Sequence, residues 1–171
     1  MCAPKGAGFL YARPEVQHLL KPLVVSSGYE SKTPSGSTLV DHHEWMGTRD
    51  LSAFLSVPAA IKFQEEHHWA RVRADCHGLA CRALSLIGGL TGQSSYYPDD
   101  RWYVQMFAAQ LPPTVHVSAF KSALDDEYRI EAPVHEWNGK KLIRISIQGH
   151  NTEGDIKALM SALKRLLPER V

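Results

Sequence analysis

Cysteine is scarce in this sequence, with only Cys2, Cys76 and Cys81 among 171 residues. An odd count of three argues against the paired disulfide framework that stabilises small secreted domains. The N-terminus also lacks the charged-then-apolar layout of a signal peptide. We therefore expect a cytoplasmic protein.

The sequence also lacks an excess of charge of one sign and any long apolar run. Its 19 Lys and Arg residues nearly balance 18 Asp and Glu residues, which gives a formal net charge of +1. Such a balance does not predict the basic surface that binds nucleic acid or an anionic membrane. No run approaches the roughly 18 apolar residues of a membrane-spanning helix. We predict neither a nucleic-acid nor a membrane partner for this chain, which is long enough to bury its own core.

No established phosphate-binding loop occurs in the sequence. The opening stretch CAPKGAG contains Lys5 and two glycines, but it matches neither GxxxxGK[ST] nor GxGxxG. Glycine and proline commonly mark turns, so we interpret this stretch as a turn that leads into a short β-strand at residues 8–12.

A metal site is not indicated by spacing, although the chain has nine histidines. Cys76, His77 and Cys81 lie close together, but their spacing is none of those typical of zinc sites. Residues five apart do not share a face of a helix, which separates Cys76 from Cys81. The pattern favours a helix with small buried thiols and surface histidines, and we predict no metal site.

The first part of the chain predicts few regular elements. Residues 26–37, SSGYESKTPSGS, predict a loop. The tripeptide at residues 48–50, Thr-Arg-Asp, supplies side chains that can cap the start of a helix. Pro58 lies inside the apolar pattern of that helix, so it should kink the helix or separate two shorter ones.

The second part predicts helices and strands in mixed order. Helical periodicity begins near residue 67 and should stop at Gly88-Gly89. Asn138-Gly139 between two alternating segments is a strong β-hairpin signal. We expect strands within 102–111, 128–137 and 142–147, and helices over 67–88, near 117–124 and from 151 onward. These elements indicate an α+β fold, with a small antiparallel sheet of about three strands covered by helices.

Two places in the sequence carry chemistry beyond packing. Arg144 lies in the apolar strand pattern IRIS, where its charge needs a carboxylate partner. That partner is either a neighbouring Asp or Glu or a ligand carboxylate, which a guanidinium can bind through two parallel hydrogen bonds. Gly47-Thr48 at the expected helix start is either a simple N-cap or an anion site built from a hydroxyl and free amides.

Four segments of the chain resemble, in order, the C-terminal part of class V aminotransferase-type pyridoxal-phosphate enzymes. They are CAPKGAGFLYARPE, WMGTRDLSAFLSVPAAIKF, YRIEAPVHEWNGKKLIRIS and HNTEGDIKALMSAL. The chain resembles most the isopenicillin N epimerase-like branch, which is also similar to cysteine desulfurases. The most specific elements are the GTRD segment and the seven-residue spacing from Arg144 to Asn151.

The resemblance implies a fold type I subunit, which has a large α/β cofactor domain and a smaller α+β domain. Residues 1–66 would be a remnant of the large domain, with a strand, a loop and the GTRD helix, and residues 67–171 would form the small domain. In this family the lysine that forms a Schiff base with the cofactor lies just before the counterpart of Cys2-Ala3-Pro4. We therefore expect that lysine to be absent from this chain, and Lys5 does not match it.

The resemblance also implies roles for residues that are present. Arg144 matches the arginine that binds the α-carboxylate of the substrate. Thr48, with Gly47, matches the threonine that contacts a cofactor phosphate across the dimer interface. His150 departs from the family, which usually has tyrosine before Asn-Thr. No residue of this chain is predicted to be catalytic.

The expected function is that of the C-terminal portion of a pyridoxal-phosphate enzyme that transforms amino acids. We expect this portion alone to be catalytically silent and to bind no cofactor by itself. Surfaces that meet the large domain in the family would be exposed, and large apolar patches drive association. We therefore expect a homo-oligomer or assembly with a large-domain segment. The alternative is a non-catalytic dimerisation or interaction module.

Overall fold

The computed structural model describes residues 2–167 and divides the chain into two compact units. The first extends to His67 and the second begins at His68. No helix among the described residues is both long and apolar enough to cross a membrane. The cytoplasmic location stays a prediction.

The first unit is mainly irregular chain with short helices. It contains a 3₁₀ helix at Pro14–Leu19, followed by α1 (Thr38–His43), α2 (Ser52–Leu55) and α3 (Val57–Glu66). Pro58 lies in the first turn of α3. Backbone N–H groups in the first turn have no acceptor within the helix, so a proline there costs no helical hydrogen bond. The prediction that Pro58 separates two short helices is confirmed.

The strand predicted at residues 8–12 is wrong. These residues lie outside regular secondary structure, and the described part of the first unit contains no β-strand. Phe9, Leu10 and Tyr11 are 83%, 62% and 76% exposed. Apolar residues with high β propensity form a strand only when another strand supplies hydrogen-bond partners.

The second unit is an α+β layer. Its elements are α4 (Trp69–Thr91), a 3₁₀ helix (Asp100–Trp102), β1 (Met106–Gln110), α5 (Val117–Asp126), β2 (Val134–Trp137), β3 (Lys140–Ser146) and α6 (Glu153–Leu166). The three strands form one antiparallel sheet in the order β1-β3-β2. The predicted fold class, a small antiparallel sheet of about three strands covered by helices, is confirmed.

A tight turn at Asn138-Gly139 joins β2 to β3. Both residues have positive φ, 50° and 71°, as a type I′ hairpin turn requires. This turn fixes the register in which Val134 faces Ile143 and Trp137 faces Lys140. The hairpin predicted from the sequence is present.

Helix α4 continues beyond the predicted stop at Gly88-Gly89. It ends at Thr91, where Gly92 adopts φ 68° and its N–H donates to the Gly88 carbonyl at 2.8 Å. Glycine weakens a helix by about 1 kcal/mol per residue, but it does not end one whose buried face continues. That face continues through Ile87 and Thr91, one turn apart.

The core of the second unit lies between one face of the sheet and the helices. Helix α4 packs on β1, α5 packs on β2, and α6 packs on both of these helices. Cross-strand neighbours on this face are buried, among them Phe107 with Ile145 and Ala109 with Ile143. Side chains alternate along a strand, so Ala108, Arg144 and Ser146 belong to the opposite face.

Candidate functional site

Arg144 lies on the central strand of the sheet, on the face that the helices do not cover. It belongs to the central strand β3 and stands directly opposite Ala108 of β1. Its backbone N–H donates to the Pro133 carbonyl at 2.9 Å, so its position along the strand is held on the side of β2 as well. The small side chain of Ala108 leaves space beside the exposed guanidinium.

Arg144 lines a cleft of about 140 Å³ at one end of the sheet. The cleft is bordered by strand β3, by the segment before β2 and by the first turns of α6, and Asn151 lies on its wall. This volume corresponds to about four or five water molecules, which suits a small polar group such as a carboxylate. Arg144 and Asn151, paired by the sequence resemblance, therefore border the same cleft.

Two carboxylates also line this cleft, but neither neutralises Arg144. Asp155 accepts hydrogen bonds from the N–H of Thr152 at 2.7 Å and from its hydroxyl, which forms the capping box of α6. The Thr152 backbone hydrogen bond is the main reason why the pKa of Asp155 lies below its usual value. Neither Glu131 nor any other described carboxylate lies within ion-pair distance of Arg144. An internal salt bridge, the structural alternative for this arginine, is not present among residues 2–167.

The other end of the open face is partly covered by the loop that follows α4. The side-chain amide of Gln110 donates to the Ser94 carbonyl at 2.7 Å. The ammonium of Lys140 lies 4.8 Å from the ring centroid of Tyr96. At the edge of β1, the N–H of Ala108 donates to the Tyr97 hydroxyl at 2.9 Å. The loop is thus fixed to the sheet, and the Arg144 end of the face stays accessible.

Gly47 and Thr48 lie in the first unit, in a bend before α2. The prediction that Thr48 begins a helix is wrong, because α2 begins only at Ser52. Asp50 instead accepts hydrogen bonds from the Ser52 N–H at 2.8 Å and from its hydroxyl, and the first of these is the main reason for its lowered pKa. The aspartate competes better than threonine for the free amide because its carboxylate carries charge.

The bend itself still offers donors for an anion. Gly47 has φ 117°, a conformation that favours glycine. The exposed Thr48 hydroxyl forms no hydrogen bond with another described residue. A hydroxyl and unpaired backbone amides are the donor types that phosphate groups bind. The residues present therefore fit a phosphate contact, although not one at a helix N-terminus.

The structure contains a second cluster of polar side chains, in which His77 and Cys81 of α4 lie near Asp100. The sequence did not predict this cluster. The four-residue spacing of His77 and Cys81 was a usable signal, since it places both on one helix face. Nothing local in the sequence connects Asp100 to them, because the loop after α4 brings it there.

Most of the chain matches one protein family. The model of the aminotransferase class-V family matches residues 1–159. The chain therefore belongs to the class-V aminotransferase family, and the resemblance found in its sequence segments is confirmed. Enzymes of this family depend on pyridoxal phosphate and act on amino acids.

Two relatives are similar over nearly all of the chain. Isopenicillin N epimerase from Amycolatopsis lactamdurans is 34% identical over 176 residues, which cover 97% of this chain and 44% of the relative. Isopenicillin N epimerase from Streptomyces clavuligerus is 32% identical over 180 residues, which cover 99% of this chain and 45% of the relative. The chain thus spans less than half the length of these curated relatives.

Proposed function

We propose that this chain supplies the substrate-carboxylate site of a pyridoxal-phosphate enzyme that transforms amino acids, in the manner of an epimerase-like class-V aminotransferase. The observation that carries the proposal is Arg144. Its guanidinium lies at an open cleft on the central strand without a carboxylate partner among residues 2–167. A cation held in that way is available for a ligand anion.

Arg144 would bind and orient the amino acid. The planar guanidinium donates two parallel hydrogen bonds to a carboxylate, which fixes the plane as well as the position of the bound group. Fixing the α-carboxylate fixes the direction of the α-carbon and its proton, and holding reacting groups in a productive geometry lowers the barrier to reaction. Strand β3 gives the arginine a rigid base, because it pairs on both sides.

The bend at Gly47-Thr48 would contact the phosphate of the cofactor held by a second subunit. The free hydroxyl of Thr48 and the backbone of Gly47 are the groups that would donate hydrogen bonds. When bound, pyridoxal phosphate supplies an electron sink for the α-carbon. This chain contributes binding contacts on both the substrate and the phosphate, and the proton transfers belong to groups outside it.

We further propose that no lysine of this chain carries the cofactor, so that the polypeptide alone is catalytically silent. Lys141 donates through its ammonium to the Val115 carbonyl, and Lys140 lies over the Tyr96 ring. Lys5 lies exposed in the N-terminal turn. A lysine that forms a Schiff base is activated by a desolvated or cationic setting. Apart from Lys141, every lysine of this chain is exposed to solvent.

Borohydride reduction after incubation with pyridoxal phosphate tests this silence. We expect the 171-residue chain to give only scattered phosphopyridoxyl labels, well below one per chain, as exposed surface lysines do. Peptide mass spectrometry locates and quantifies the label. Near-stoichiometric labelling of a single lysine in this chain would contradict the proposal.

A second candidate function, a dimerisation or interaction module, is favoured by the exposed apolar residues of the first unit. Phe9 and Tyr11 are 83% and 76% exposed, and Leu23 and Leu55 are also largely exposed. Contiguous exposed apolar surface promotes association. Both functions therefore share one expectation, which is that this chain associates with itself or with a partner.

Sedimentation velocity over a range of concentrations tests the association. We expect the weight-average sedimentation coefficient to rise with concentration, and we expect the double variant Phe9→Ser with Tyr11→Ser to weaken that rise. Lys5→Ser, in the same stretch, is the matched control and should leave it unchanged. A chain that stays monomeric throughout the range would contradict self-association.

A further inference from the structure

Three potential metal ligands converge in the second unit. His77 and Cys81 lie one turn apart on α4, and Asp100 begins the 3₁₀ helix that follows the loop. The Cys81 Sγ lies 3.6 Å from His77 Nε2, and the Asp100 Oδ2 lies 3.6 Å from the same nitrogen. One ligand atom from each of the three residues lies within 4.8 Å of the others.

A hydrogen bond at Nδ1 fixes the tautomer of His77. Its Nδ1 lies 3.0 Å from the Val104 carbonyl oxygen, which can only accept, so Nδ1 carries the proton. In the neutral ring, Nε2 then presents its lone pair to Cys81 and Asp100. A backbone carbonyl that accepts from the far nitrogen is the usual outer-shell partner of a histidine that binds a metal.

The arrangement differs from a nucleophilic triad. In a triad the acid holds one ring nitrogen and the nucleophile holds the other. Here the thiol and the carboxylate both approach Nε2, and the second nitrogen is occupied by the Val104 carbonyl. Three ligand atoms within 4.8 Å of one another are close enough to share a cation.

We propose that His77, Cys81 and Asp100 form a binding site for Zn²⁺ or a similar borderline-soft divalent cation. Tetrahedral zinc with bonds of about 2.0–2.3 Å keeps its ligand atoms about 3.3–3.7 Å apart. The separations of His77 Nε2 from Cys81 Sγ and from Asp100 Oδ2, both 3.6 Å, lie in this range. The His77 and Asp100 side chains are 30% and 61% exposed, so the fourth position is open to solvent. A thiolate and a carboxylate balance the charge of the dication.

Tyr103 and Arg101 lie near the three candidate ligands. The Tyr103 hydroxyl donates to the Cys81 Sγ at 3.4 Å. Arg101, the residue after Asp100, forms its ion pair with Asp99 at 2.7 Å, whereas Asp100 lies within ion-pair distance of His77.

Sequence spacing pointed away from a metal site because no typical zinc spacing occurs and because Cys76 and Cys81 do not share a face of the helix. Cys76 is 5% exposed and packs in the core, whereas Cys81 lies one turn from His77. The third ligand is 19 residues beyond Cys81. This site uses neither Arg144 nor Thr48, so its test does not depend on the outcome of the tests of the proposed function.

Titration of the reduced chain with Co²⁺, which takes zinc sites and is coloured, tests the proposal. We expect a saturable thiolate-to-cobalt charge-transfer band in the near ultraviolet, visible bands of tetrahedral intensity at one Co²⁺ per chain, and loss of both on adding Zn²⁺. Cys81→Ser should abolish the charge-transfer band. Asp100→Asn should weaken Co²⁺ binding by about 100-fold, at least as much as loss of an outer-shell partner costs.

Cys2→Ser is the matched control, because Cys2 is exposed and lies in the first unit. It should leave the cobalt spectrum and affinity unchanged. Asp100 is itself exposed, so Asp100→Asn should keep the far-ultraviolet circular dichroism of the parent. Absence of a saturable band, or a spectrum that persists in Cys81→Ser or is unaffected by Asp100→Asn, would overturn the site.

Discussion

Replacing Arg144 by alanine should lower kcat/KM by about 30- to 4,000-fold in an enzyme that contains this chain. Truncating one partner of a hydrogen-bonded charge pair costs about 2–5 kcal/mol, and each 1.4 kcal/mol corresponds to a factor of ten. The assay uses a chimera in which this chain replaces the matching residues of the Amycolatopsis lactamdurans isopenicillin N epimerase. Steady-state kinetics of isopenicillin N epimerisation give kcat and KM separately.

A lysine variant separates the contribution of the guanidinium's shape to activity from the contribution of its charge. Arg144→Lys keeps the charge but loses the two parallel hydrogen bonds, so we expect it to recover only part of the activity. Arg165→Ala is the matched control, because this exposed arginine of α6 has no ion pair among the described residues. An Arg144→Ala chimera within twofold of the parent would remove the carboxylate-binding role.

Replacing Phe107 by alanine should lower the free energy of unfolding of the second unit by about 3–5 kcal/mol, as for other buried Phe→Ala changes. Phe107 is 1% exposed on β1, opposite the buried Ile145, and its ring centroid lies 5.9 Å from that of Tyr103. Residual cavity volume adds to the lost burial because strand and helix cannot both close the gap. Since domains unfold with only about 5–15 kcal/mol, much of the stability would be lost.

Urea denaturation followed by far-ultraviolet circular dichroism measures this change. Met106→Ala is the matched control, because Met106 precedes Phe107 on the same strand but is 55% exposed. Its free energy of unfolding should change by less than about 1 kcal/mol. Equal midpoints for the two variants would show that β1 does not pack as described.

The sequence was informative where a short stretch determines its own structure. Asn138-Gly139 specifies a hairpin turn because both residues tolerate positive φ. The apolar spacing of α6 predicts its buried face, with Ile156, Leu159 and Leu163 in the core. Pro58 separates two helices through its ring and its missing N–H. Each of these features depends on a few neighbouring residues.

Features that depend on distant residues were predicted less well. The strand expected at 8–12 finds no partner strand among the described residues of its unit. Helix α4 passes Gly88-Gly89 because its buried face continues. Whether Arg144 met an internal carboxylate could not be decided from the sequence, since the answer depends on which residues fold beside β3. Asp100 joins His77 only through the loop after α4.

The crystal structure of the chimera with a bound amino acid tests the central claim most directly. We predict that the Arg144 guanidinium donates two hydrogen bonds to the α-carboxylate, at about 2.7–2.9 Å, as charge-assisted bonds do. The Thr48 hydroxyl of the neighbouring subunit should lie within hydrogen-bond distance of the cofactor phosphate. An α-carboxylate bound by other residues, with Arg144 facing away from it, would contradict the account.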